Sequence, residues 1–310
     1  MLLSLKKIAS DCLSLSPPFS VIRDIFGYSA STGTKSLKHQ LQLMCLAEVS
    51  HPVWSGYWWP MLEGSSPNLY DRGGPLEKYD NYVSQVHNIQ PNAVQREKQG
   101  YWYNGHWVRK HYTNDPANGW WGHCNGWAAA AVLEQEPTTV NTKCGITFDV
   151  GDQKGLLSEA HWYDPVDLIL RIGNNAHDYH KILLNWVGNG VAVVMDVYLG
   201  DQVWNYPVVK YRMQYKKDAT DPNKTHVTCT IWFADDAVPP DFVGLQYYPS
   251  TSGKKYYYWL LGDIINPSDG EWENVSVNDH PDLVWHPDYD ASGFHGALGD
   301  GDTWLREILK

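Results

Sequence analysis

The run "GHCNGWAAAAVLEQEP", residues 122–137, limits what this chain can fold into more than any other stretch. Four successive alanines between Trp127 and Val132 have the strongest helix propensity and almost no side chain, so a helix here packs through its backbone into a core. Pro137 stops it. Cys124 stands where loop chemistry turns into helix chemistry. A helix N-terminus offers unpaired N–H groups and a partial positive charge that lower a thiol's pKa, which is what a cysteine nucleophile needs. Gly122, Asn125 and Gly126 keep the approach uncrowded, and Asn118 and Trp120 are candidates to place a donor beside the sulfur where an oxyanion forms. A small structural cysteine at the start of a buried helix fits the local residues equally well.

A length of 310 residues with 43% hydrophobic content supports one large or two modest cores without metal or disulfide scaffolding. A formal net charge of −11 leaves no basic stripe for a phosphate backbone, so nucleic acid is excluded as a partner. The longest apolar runs, "VAVVMDVYL" and "YYYWLLG", are far shorter than a membrane span. "MLLSLKKIASDCLSLSPPF" lacks the charged-then-apolar order of a secretory signal. Five cysteines without a Cys-x-x-Cys pair indicate neither a zinc knuckle nor a disulfide framework. Trp (16) and Tyr (20) greatly outnumber Phe (6), which biases the aromatic surface toward wet clefts.

The periodicity predicts an α+β chain: an N-terminal helical segment over 1–50, a helical half over 51–190, a mostly antiparallel sheet over 191–290 and a C-terminal tail over 291–310. "GYWYNGHWVRKHY" reads as a hairpin on an Asn-Gly turn. "DQKGLLSEAH", "DPVDLILRIGN" and "DYHKILLNWVGNG" read as helices, the second capped by Asp164 and Pro165. "VAVVMDVYL", "VWNYPVVKYRMQYK", "THVTCTIWFAD" and "KKYYYWLLGD" read as strands.

A thiolate also needs a base, and thirteen histidines supply candidates. His180 opens a helix, and Asp196 is a carboxylate in an apolar strand, costly unless it is hydrogen-bonded; orienting a histidine would satisfy it. His226, before an apolar strand, and His280, in "NDHPDLVWHP", are rivals, while His123 points away if Cys124 faces a cleft. The acidic stretches "FADDAVPPD" (233–241) and "GDGDTW" (299–304) lack the ligand spacing of an EF-hand and read as solvated loops.

Taken in order, "GYWWP" (56–60), "LEKYD" (76–80), "GHCNGWAAAAVLEQEP" (122–137), "GITFDVGDQKGLL" (145–157), "YHKILLNWVGNGVAVVMDVYLGDQVWNYPV" (179–208) and "GEWENVSVNDHPDLVW" (270–285) resemble the elicitor-type transglutaminases of plant-pathogenic oomycetes and marine vibrios. The resemblance implies a transglutaminase-like core related to papain-like cysteine proteases, and a calcium-dependent, secreted protein-glutamine γ-glutamyltransferase acting on protein Gln and Lys side chains. It implies Cys124 as nucleophile, His180 as base and acid, and Asp196 as its orienter. Trp204 and Asn205, within the Val203–Val208 segment that plants sense in oomycete members, and Trp272 and His280 are the implied substrate contacts. The family commonly carries Asp-Ser-Asn where this chain has Val275-Ser276-Val277. A papain-like peptidase, a glutamine deamidase and a non-enzymatic aromatic binding module are the alternative expectations.

Overall fold

The computed structural model describes residues 43–249, 252–288, 295–299 and 302–310. In chain order its elements are β1 (Leu43–Glu48), α1 (Pro75–His87), α2 (Ala93–Gln99), β2 (Tyr101–Tyr103), β3 (His106–Val108), α3 (Cys124–Leu133), β4 (Asn141–Lys143), β5 (Ile146–Phe148) and α4 (Val150–Ala160). They continue with β6 (Val166–Arg171), α5 (Ala176–Asn185), β7 (Val193–Asp196), β8 (Asn205–Lys217), β9 (Lys224–Ala234), β10 (Tyr247–Tyr248), β11 (Lys254–Leu261), β12 (Asp269–Trp272), β13 (Leu283–Pro287) and α6 (Asp302–Leu309). A nine-stranded sheet runs β12-β11-β9-β8-β7-β13-β6, with β1 added to β8 and β10 to β9. Its pairings are antiparallel, so the chain is a mixture of helices and antiparallel sheet, as its periodicity predicts.

Because strand side chains alternate between faces, the sheet divides the interior into two cores. On one face Val194, Val209, Ala234 and Trp285 pack against α1, α3, α4 and α6. On the other, Val193, Met195, Val208, Tyr211 and Tyr258 pack against α5. Helix α3 lies deep in the first core, with Trp127 through Ala131 at most 1% exposed. It approaches α4 so closely that a Cβ added at Gly126 would stand 2.0 Å from the Ser158 carbonyl oxygen. At the far end of α3, Lys154 of α4 is buried over the Trp54 ring and donates to Glu136 Oε1 at 2.6 Å and to the carbonyls of Ser55 and Phe242.

Three expectations change. Residues 43–48 of the predicted N-terminal helical segment form a strand on β8; the rest of that segment, through residue 42, lies outside the described residues. "DPVDLILRIGN" is no helix: Val166–Arg171 pairs with β13, from Leu283↔Arg171 to Pro287↔Val166. A short apolar run reads the same in either period, and a partner more than a hundred residues downstream decides it. Within the predicted tail, α6 buries Leu305 and Ile308 in the first core.

Gly126→Ala is expected to overpack the α3–α4 contact, costing about 1–3 kcal/mol and several degrees of melting temperature in a calorimetric scan.

Candidate active site

Helix α3 begins at Cys124, with His123 as its N-cap. The cysteine is 8% exposed, at the floor of a cleft of about 360 Å³ walled by Trp120, Trp121, Trp162, Arg109, Met61 and Asn205. A second hollow of about 270 Å³ continues on the other side of Asn125 and Asn205, toward Trp285 and Leu283. The residues around Cys124 thus line a groove with two arms.

Asn205, the first residue of β8, points to the α3 face and donates from Nδ2 to Cys124 Sγ at 3.5 Å. The Trp285 indole N–H donates to Asn205 Oδ1 at 2.9 Å, which fixes which end of the amide meets the sulfur. Cys124 Sγ also lies 3.9 Å from the Val203 carbonyl oxygen. Burial pushes the thiol above its usual range, and the nearby charge of Asp236 adds to that; hydrogen bonds from the Asn205 backbone and side chain and from the Asn125 backbone oppose both. The helix-start position therefore does not by itself yield a thiolate, contrary to what the sequence suggests.

Asp196 is the direct cross-strand partner of Asn205 and shares its face, since Val194, two residues earlier, packs in the first core. Its Oδ1 accepts from the Trp204 N–H at 3.3 Å, and its Oδ2 is buried without a partner. Burial pushes this carboxyl up to about 7, against backbone N–H groups of Trp204 and Tyr198. Asp236 behaves alike: burial and the neighbouring Asp235 raise it to about 7, and its Oδ2 is also unpartnered. Asp235, by contrast, is spent on the Ala237 N–H and the Gln246 amide.

No candidate histidine meets the sulfur. His180 is fully buried in the second core, across the sheet from α3, with Nδ1 2.8 Å from Tyr258 Oη and Nε2 2.7 Å from the Ile264 carbonyl oxygen. Burial holds its imidazole down at about 4, so it is neutral and committed to two structural hydrogen bonds. His226 sits between Asp218 and Glu273 at 2.9 and 2.8 Å. His280 stacks on Trp272 at 4.9 Å, and Trp272 packs among Tyr179, Tyr256 and Tyr258 and donates to the Gly173 carbonyl; both belong to the second core, not to the Cys124 cleft. Of the other expected contacts, Trp120 lines the cleft, whereas Asn118 ends a 3-10 turn in which its carbonyl accepts from Trp121. Trp204 packs against Trp58 at 5.7 Å and lines a neighbouring hollow with Tyr206 and Tyr248.

Sequence reasoning missed Asp236, Trp285, Trp162 and Arg109. Asp236 stood in plain view within "FADDAVPPD", but a carboxylate's burial is not written in its neighbours. Trp285 reaches Asn205 only because β13 pairs with β7.

Residues 111–178 match the transglutaminase elicitor family. That stretch holds Cys124 and ends before His180, Asp196 and Asn205. The fold is similar to that in the crystal structure of the GP42 transglutaminase from Phytophthora sojae, with a TM-score of 0.63 over 85% of this chain and 90% of that one, at 20% identity. No curated protein sequence matches the chain.

Asp196 sets a pH dependence. Its folded-state value is raised, so the stability associated with its neutral form is complete below the unfolded aspartate value of about 3.9 and is lost as pH rises through about 7. Asp196→Asn is therefore expected to gain on the wild type as pH rises from 5 to 8, by about 2 °C or more in paired melts. An equal difference at both pH values would mean that the carboxylate is not buried neutral.

Proposed function

We propose that this protein is a cysteine acyltransferase of the transglutaminase type, forming a thioester from a protein glutaminyl side chain and passing it to a lysine amine, or to water. The observation that carries the reading is Cys124 at the head of a buried helix, in an aromatic cleft, with an indole-oriented amide of Asn205 on its sulfur, in a fold similar to a transglutaminase.

Cys124 supplies the sulfur. Among the described residues no carboxylate or imidazole is hydrogen-bonded to Cys124 Sγ; we assign the thiol proton, passed through one intervening water, to Asp236, whose charge opposes ionisation of the thiol and whose own carboxyl burial raises to about 7. The S–C bond forms at the carboxamide carbon, and the oxyanion is met by Asn205 Nδ2 and the Asn125 N–H. The C–N bond then breaks, and the proton held by Asp236 leaves with the nitrogen as ammonia. An amine repeats the cycle in reverse: its proton passes to Asp236 and returns to the thiolate as the amide is released. Asp196 is a positioning residue, holding the Trp204 N–H and hence the start of β8. The walls of Trp120, Trp121 and Trp162 exclude water from the thioester, which favours transfer to an amine over hydrolysis.

The resemblance also implies Ca²⁺, which takes roughly six to eight oxygen ligands. Among the described residues one group of three or more His, Cys, Asp or Glu donors converges, and two of its four members are histidines. That set does not fit Ca²⁺, and no step here passes through the ion. Among the described residues no helix is long and apolar enough to cross a membrane. Export from the cell belongs to the same proposal and is tested by fractionating cells that express the full-length gene.

Incubating the protein with a glutaminyl peptide and a primary amine is expected to release ammonia and give amide adduct in equal amounts. Ammonia alone would make it a deamidase, new peptide termini a peptidase, and no product, together with a Cys124 inert to iodoacetamide, would leave only a binding role. Cys124→Ser is expected to lower turnover by at least about 10³-fold, and Asn205→Ala by about 10²-fold. Asp236→Asn is expected to lower kcat by about 10²-fold and to remove the limb near pH 7 from the rate profile; an unchanged profile would assign proton transfer elsewhere.

A further inference from the structure

One residue before the nucleophile, the chain supplies a second set of reactive side chains that the proposed chemistry does not use. Glu97 of α2, His111 of the following loop, His123 at the N-cap of α3 and Glu159 of α4 are each at most 2% exposed, and one ligand atom from each lies within 4.8 Å of all the others. His123 Nε2 is 2.9 Å from Glu97 Oε1 and 3.0 Å from Glu159 Oε2; His111 Nδ1 is 3.2 Å from Glu97 Oε2 and 3.6 Å from Glu159 Oε2. Despite these separations, His111 Nδ1, His123 Nε2, both Glu97 oxygens and Glu159 Oε2 lack an aligned hydrogen-bond partner. Five buried donor and acceptor atoms thus face one another at short range without an aligned N–H···O line. Donor atoms about 2.0–2.2 Å from a tetrahedral ion stand about 3.3–3.6 Å apart along the edges of the tetrahedron. The four histidine–carboxylate separations, 2.9 to 3.6 Å, span that length, and the remaining pairs lie within 4.8 Å.

We propose that Glu97, His111, His123 and Glu159 bind one divalent transition-metal ion, zinc by preference, as a structural site at the root of the Cys124 helix. Two imidazole nitrogens and two carboxylate oxygens are the borderline donor set that suits Zn²⁺ and its first-row neighbours. Two carboxylates, two neutral imidazoles and a dication sum to zero charge, which a dry interior requires. Three of the four ligands are also oriented from behind, as metal ligands are. His123 Nδ1 is 3.0 Å from the Trp59 carbonyl oxygen, and His111 Nε2 is 3.3 Å from Tyr163 Oη. Glu159 Oε1 accepts from the Ala297 N–H, an approach that only glycine at 296 permits: its φ is +56° and a Cβ there would meet Oε1 at 2.1 Å. Trp162, which walls the Cys124 cleft, packs on both imidazoles at 4.3 and 4.9 Å. A four-ligand site closed by protein leaves no position for substrate, so the ion fixes α2, α3 and α4 and the cleft wall without joining the reaction.

The test is elemental analysis of the full chain purified without chelators. It is expected to carry about one equivalent of zinc, which Cys124→Ser retains and which Glu97→Gln and His111→Gln each reduce by at least about tenfold. Chelator-stripped protein given Co²⁺ is expected to develop the visible bands of tetrahedral cobalt, and given Zn²⁺ to melt several degrees higher. The proposal is overturned if the wild-type chain contains less than about a tenth of an equivalent of any transition metal and, after incubation with excess Zn²⁺ or Co²⁺ and desalting, neither retains the ion nor changes its melting temperature. That result would leave the four side chains as a buried imidazolium–carboxylate network. These readouts do not involve turnover, so they stand or fall apart from the acyltransferase reading.

Discussion

Helix α3 meets α4 so closely that the Gly126 backbone lies against the Ser158 carbonyl. A glycine against a backbone carbonyl and a row of alanines let two helices meet without side chains between them, so the first turn of α3 is held by backbone and not by flexible groups. Position is thereby fixed at both ends. At the head, His123 donates its N–H to the Trp58 carbonyl at 2.6 Å and Cys124 looks into the cleft; beyond the tail, the buried ammonium of Lys154 gathers Glu136 and two carbonyls. A charged lysine in a core is costly alone, and here each of its contacts is an acceptor or an aromatic face.

The sheet contributes from the other side. Strand β8 is paired along its length, first with β7 and then with β9 and β1, so the residue that begins it, Asn205, is set by the register of the whole sheet. The sulfur and the amide that touches it therefore come from two rigid bodies, a buried helix and a central strand, and not from loops. That arrangement suits a site that must hold donors at the position of a developing charge.

What the sequence made legible follows from how local each signal is. Helix α3, the β2–β3 hairpin, helices α4 and α5 and the long strands carry their period within their own residues, and Cys124 carries its helix-start context in its neighbours. The strand β6 was not legible, because its pairing partner lies at the far end of the chain. The histidine partner was misread for a related reason: His180 opens a helix at suitable spacing, but the alternation of β7 and β8 sends α5 to the opposite face of the sheet from α3. Glu97, His111, His123 and Glu159 come from four different elements at no recognisable spacing, and only the packing of α2, α3 and α4 brings them together.

The Val203–Val208 segment is divided between surface and interior. In the folded chain Val203 is 41% exposed and Trp204 half-buried, while Asn205 through Val208 are buried within the sheet. A probe that binds these six residues as one extended peptide meets all of them only on an opened or cleaved chain, because the intact fold leaves Val203 and part of Trp204 in reach and keeps the other four inside the sheet.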